Sequence, residues 1–139
     1  MKKSLFILTA AITLGLFIAS CSKDDSNNNG QQNTTVQGTW TGTGQYGTGG
    51  GNPTYPFTIT FNAGGTVNIT GNNNTAVDVA TGTWQMVADS VRATYKYASS
   101  SAIYVLSGKF TAGATVMAGT IGLDPVTVGV GIFSVTRQQ

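Results

Sequence analysis

The chain has no histidine and no glutamate, one cysteine and few charges, with charged residues at 9% of its 139 positions. Each shortage removes a class of chemistry. The usual general bases are reduced to five aspartates. Nucleophilic triads lack their base, and metal sites lack imidazole and a second thiolate. Of the aspartates, Asp78, Asp89 and Asp124 stand near predicted turns, far apart in sequence, and Asp124 precedes Pro125 as turn chemistry. Lys96 and Lys109 read as solvated charges. These residues predict a non-catalytic protein with no metal and no cofactor. A single cysteine also excludes a disulfide within the chain, so any domain must stand on its apolar core.

Charge excludes further partners. Lys23, Arg92, Lys96, Lys109 and Arg137 balance Asp24, Asp25, Asp78, Asp89 and Asp124. No basic cluster is present for nucleic acid, and beyond Lys2 and Lys3 no polybasic stretch is present for acidic lipid.

The first twenty residues have a different character from the rest. Lys2 and Lys3 precede an apolar run, Leu5 to Ile18, broken only by Thr9, Thr13 and Gly15. Its roughly fourteen residues fall short of the ~20 needed to span a bilayer. A charged start, an apolar run of this length and small residues at its end make a secretory signal. The run closes on Ile18-Ala19-Ser20-Cys21, which resembles the lipobox of bacterial lipoproteins. The resemblance implies cleavage after residue 20, lipid on Cys21 as the first mature residue, and membrane attachment through that lipid. Several acyl chains, at roughly 0.8 kcal/mol per buried CH₂, make a stable anchor. The following Ser22-Lys23-Asp24-Asp25 is similar to the lysine-plus-acidic signal that sends some Gram-negative lipoproteins to the outer face of the outer membrane.

Residues 26–35 contain only Asn, Gln, Ser, Thr and Gly. Such a segment buries nothing and reads as a flexible tether reaching roughly 30 Å when extended. Residues 21–35 are thus expected as lipidated cysteine plus tether, and residues 36–139 as one small domain.

Within that domain no apolar pattern holds helical spacing for more than a turn. Short alternating runs recur between Gly, Asn, Asp and Ser, the signature of an all-β sandwich or barrel. The predicted strands are Val36–Tyr46, Tyr55–Asn62, Thr66–Thr70, Ala80–Val87, Val91–Ala98, Ala102–Phe110, Thr115–Ile121 and Val126–Arg137. In the second, Tyr55, Phe57, Ile59 and Phe61 share a face. In the fifth, Ala93, Tyr95 and Tyr97 oppose Arg92, Thr94 and Lys96. Most connections are short, which joins antiparallel neighbours. The predicted fold is therefore an eight-stranded up-and-down meander barrel, whose closure removes exposed edges. A two-sheet β-sandwich is the alternative.

Gly38-Thr39-Trp40 opens the first strand and Arg137 closes the last. These two positions resemble the lipocalin and avidin group of barrels. That resemblance implies that the basic residue packs over the tryptophan and plugs one end. A C-terminal helix and a second lipocalin motif are absent, and the domain is shorter than a typical lipocalin. Gly82-Thr83-Trp84 repeats the motif, with looser copies at Gly108-Lys109-Phe110, Gly119-Thr120-Ile121 and Gly131-Ile132-Phe133. Each copy sets a glycine and a bulky residue on one face, as tight barrels do to fit their taper. The two indoles are expected to enter one core from different walls.

An eight-stranded barrel is either filled by side chains or holds one small ligand. The candidate lining is Trp40, Phe57, Ile59, Trp84, Tyr95, Tyr104 and Phe133, and the same residues describe an ordinary core. Asp89-Ser90-Val91 resembles an O-glycosylation acceptor of exported Gram-negative proteins, which would place sugar on Ser90. Two functions follow. One is a monomeric lipid-anchored module holding a small apolar molecule. The other is a surface interaction protein with a filled barrel, whose loops at Gly47–Thr54 and Asn72–Asp78 meet a macromolecule.

Overall fold

A computed structural model describes residues 35–72 and 77–139. The expectations placed on residues 1–34, the signal, Cys21 and most of the tether, lie outside these described residues. The domain is all-β: β1 (Gly38–Tyr46), β2 (Thr54–Phe61), β3 (Thr66–Gly71), β4 (Val79–Val87), β5 (Ser90–Tyr97), β6 (Tyr104–Lys109), β7 (Val116–Leu123) and β8 (Gly129–Arg137). Each strand pairs with its sequence neighbour, and β8 returns to β1 with Trp40 opposite Arg137. The eight strands close into an antiparallel barrel. The sandwich alternative does not form, because closure pairs β1 and β8 with each other and leaves no edge.

Period-two alternation makes this wall. In β2, Phe57, Ile59 and Phe61 are buried, while Thr58 and Thr60 between them are only partly covered. In β5, Val91, Ala93 and Tyr95 are buried in the same way. The interior is dense because inward glycines face inward aromatics across the strands. Gly42 and Gly71 flank Phe57, Gly44 stands opposite Tyr55 and Phe133, and Gly82 stands opposite Tyr95. A β-carbon on Gly44 would lie 2.4 Å from the Tyr55 ring, and one on Gly119 would lie 2.7 Å from the Phe133 ring. The glycines are what allow rings this large inside a barrel this narrow.

Two departures from the sequence expectation have a common origin. β7 runs through Leu123 and β8 begins only at Gly129, not at Val126. A register shift between Ile121 and Gly122 bends the wall there. The intervening loop then turns outward. Backbone of Val126, Thr127 and Val128 fills the space beside Gly122, and Arg92 Nη2 donates to the Pro125 carbonyl at 3.1 Å. Val105, the cross-strand partner of Gly122, is fully buried although it stands outside the core cluster. The loop therefore covers a patch of outer wall that alternation alone reads as exposed.

Candidate functional site

In a meander, odd strands end and even strands begin at the same rim. The two ends of this barrel are therefore set by which residues stand at those positions, and the two are chemically different.

One end is closed. Trp40 is completely buried and meets Phe110 edge-on at 6.2 Å. The Arg137 guanidinium carbon lies 4.5 Å from the centre of the Trp40 ring, within reach of a cation–π attraction. Three successive carbonyls beneath the barrel are captured. Trp40 Nε1 donates to Val36 O at 2.8 Å, and the two terminal nitrogens of Arg137 donate to Thr35 O and Gln37 O. Val36, only 2% exposed, fills the space under the indole. Burial pulls the Arg137 guanidinium below its usual pKa. Gly38 is essential to this seat: its φ of +119° suits glycine, and a β-carbon there would meet Arg137 Nη1 at 3.1 Å. Trp84 belongs to the same end. It is half-buried, meets Phe61 at 5.5 Å and donates from Nε1 to Asn62 O at 3.0 Å. Both indoles thus pack at the closed base, Trp40 inside it and Trp84 near its edge.

The other end is a cup. A cavity of about 230 Å³ opens there, lined by Tyr46, Tyr55, Tyr95, Tyr97 and Tyr104 with Gly71, Asn72, Asp78, Ser99, Ser100, Ile121 and Val130. These are all five tyrosines of the chain. They form two walls. Tyr46 and Tyr55, from β1 and β2, lie 4.6 Å apart between ring centres. Across the mouth, on β5 and β6, Tyr95 stacks on Tyr104 at 5.7 Å and 19°, and Tyr97 stands nearly perpendicular to Tyr104 at 5.5 Å and 82°. Below the cup Phe57 and Phe133, 6.1 Å apart, begin the packed core.

The lining is polar as well as aromatic, with Asn72, Asp78, Ser99 and Ser100 beside the tyrosines. Asn72 Nδ2 donates to Asp78 Oδ2 at 3.3 Å. Burial is the largest cause that raises the phenols of Tyr55, Tyr95 and Tyr97, Tyr55 to about 12 and the other two further, so all three are neutral at ordinary pH. Asp78 adds to the rise at Tyr97. Around the rim, Val77, Ile103, Leu123, Val126 and Val128 are each about half exposed.

The candidate lining residues separate in the structure. Tyr95 and Tyr104 line the cup. Trp40, Phe57, Ile59 and Phe133 are packed core, and Trp84 packs against that core at the base. Tyr46, Tyr55 and Tyr97 belong to the cup and were not among the candidates. Their signal was present, since Tyr55 and Tyr97 share the inward phase of their strands and all three stand at strand ends on one rim. Ser90 opens β5 at the base end, partly covered, and its hydroxyl donates to Asp89 Oδ1 at 3.2 Å. Asp89 also pairs with Lys109 at 3.0 Å, and that pairing lowers its pKa. Among the described residues no group of three or more metal-ligating side chains gathers. No known family model and no curated protein matches this chain.

Proposed function

We propose that this chain is a non-catalytic, lipid-anchored binding protein of the outer membrane that holds a small, largely apolar molecule in its tyrosine cup. The observation that carries the reading is the convergence of all five tyrosines on one cavity above a continuous apolar core. Tyrosines supply apolar faces and polar tips without charge, and the lining is shared about equally between polar and apolar surface. At about 230 Å³ the cup is smaller than the ~300–1,000 Å³ of drug-sized pockets, which favours a compact ligand or the compact head of a longer one.

The chain enters the domain at Thr35, whose carbonyl is held under the closed base. The half-exposed rim of Val77, Ile103, Leu123, Val126 and Val128 favours a second reading, in which that rim meets a macromolecule.

Two measurements test the proposal. Fatty-acid labelling of the natural and Cys21→Ser chains tests the anchor: label retained without Cys21 would refute it. Native mass spectrometry of the chain extracted from its own membranes tests the cup. A small molecule retained by the natural chain and lost from a Tyr97→Ala/Tyr104→Ala variant is the expected result. Natural chain free of any small molecule, with tyrosine ring resonances unmoved by a fragment collection, would direct attention to the rim as a protein-binding surface.

A further inference from the structure

We propose that the cup is an aromatic cage for a small organic cation, one with a methylated ammonium head; this rests on the cup being a ligand site.

Tyrosine rings line the cup on two opposite sides. In a closed ring of eight strands β1 and β2 lie diametrically across from β5 and β6, so Tyr46 and Tyr55 confront Tyr95, Tyr97 and Tyr104 over the cavity. Tyr97 and Tyr104 meet edge to face, so the lining has a corner of two rings set at right angles. A methylated ammonium is a rounded head. It is apolar in surface, so it accepts burial, and positive in charge, so it is drawn to the negative face of each ring. Burial keeps the phenols of Tyr55, Tyr95 and Tyr97 protonated, so these three add no negative charge to the lining.

The charge in the cup has one sign. Among the described residues Asp78 is the only charged side chain of the lining. Asn72 holds one carboxylate oxygen of Asp78, which orients the group at the rim. Lys96 alternates outward on β5 beside Tyr95 and Tyr97, Arg92 reaches the outer-wall loop, and Lys109 pairs with Asp89 at the opposite end. An anionic ligand would meet Asp78 with no positive partner among the described residues. A neutral apolar ligand would be served by the rings but would gain nothing from the carboxylate. A cation uses both. The cavity of about 230 Å³ corresponds to roughly eight waters at ~30 Å³ each, room for a head of this size.

The test titrates the full chain, in maltoside detergent, with choline, with tetramethylammonium and with 3,3-dimethylbutan-1-ol, the neutral carbon isostere of choline, while following tyrosine ring resonances. The expected result is that choline binds at least about tenfold more tightly than its isostere. Asp78→Asn should narrow that ratio. Tyr104→Leu should abolish binding and Tyr104→Phe should preserve it, because the face and not the hydroxyl is used. Equal affinity for choline and the isostere would overturn the cation assignment and leave the cup as a neutral-ligand site. Failure of all three probes in a chain that still retains a copurified molecule would overturn it too, again sparing the cup. A parallel arm with phosphatidylcholine and phosphatidylglycerol vesicles identifies the source. Choline binding without vesicle preference assigns a free cation. Preference for phosphatidylcholine that Tyr104→Leu removes assigns a lipid headgroup.

Discussion

Tyr95 is 2% exposed at the floor of the cup, and Tyr55 and Tyr97 are partly buried above it. All three phenols have raised pKa values in the folded protein. An unfolded tyrosine loses its proton near pH 10, whereas Tyr55 keeps its own until about pH 12. Between these values the unfolded chain binds fewer protons than the folded one, so stability falls as pH rises. Stability from these groups is whole below about pH 10 and is lost as pH climbs through the folded values. Urea midpoints at rising alkaline pH should therefore decline together with a delayed tyrosinate absorbance. A midpoint flat across that range would contradict the burial described. At the base, Arg137 holds two carbonyls and covers an indole. Arg137→Met keeps much of the stem but removes the charge and the donors, and should cost about 2 kcal/mol. Lys in its place should recover only part, lacking the planar fork that reaches both carbonyls. Chemical denaturation of the two variants measures the difference.

At the scale of the strand, glycine position decides what the wall tolerates. A β-carbon at Gly119 would meet Ser107 backbone at 2.0 Å as well as the Phe133 ring, whereas at Gly50, in the β1–β2 loop, it would meet nothing within 4 Å. Gly119→Ala should cost about 1–3 kcal/mol or more by overpacking. Gly50→Ala should be neutral or slightly stabilising through the unfolded chain. Thermal melts of the pair check this, and equal effects would count against the close strand approach at β6 and β7. The loop between β7 and β8 has a similar local dependence. Its link to the wall through Arg92 is exposed, so Arg92→Ala should cost no more than about 0.5–1 kcal/mol overall. It should nonetheless speed amide exchange over residues 123–128, which a fragment-resolved exchange experiment would detect. Unchanged exchange there would mean that the loop is held by its own packing.

Across the whole molecule, closure is the dominant fact. β1 pairs with both β2 and β8, so no strand offers an open ladder to another chain. Removing β8 by truncation after Gly129 would expose β1 and β7 together. We expect that chain to aggregate, while the natural chain remains monomeric at the same concentration; sedimentation of the two compares them. A soluble, monomeric truncation would show that closure is dispensable for solubility. The meander also has a functional consequence, because it collects residues from the ends of odd strands and the starts of even strands at one rim. Tyr46 ends β1, Tyr55 lies near the start of β2, Tyr97 ends β5 and Tyr104 starts β6.

The fold was legible in the residues because its signal is local. Alternation in Tyr55–Phe61 and Val91–Tyr97, turn residues between short runs and the scarcity of helical spacing determine strands and their order, and short connections determine that neighbours pair. Of the glycine-x-bulky copies, those at Gly108 and Gly119 set a glycine against the Phe133 ring. Alternation also places Tyr55 and Tyr97 inward. It does not say how deep each inward residue lies, because depth is set by register and by the tilt of strands in the closed ring. For that reason the inward aromatics form one undivided set in the sequence, from Trp40 to Phe133. Only the tertiary structure separates them into a filled base around Trp40, a packed middle around Phe57 and Phe133, and an open cup of tyrosines. The outward turn of residues 124–128 over Val105 belongs to the same class. It depends on a bulge at Gly122 and on Arg92 two strands away, and contacts between residues distant in sequence leave no periodic trace along the chain.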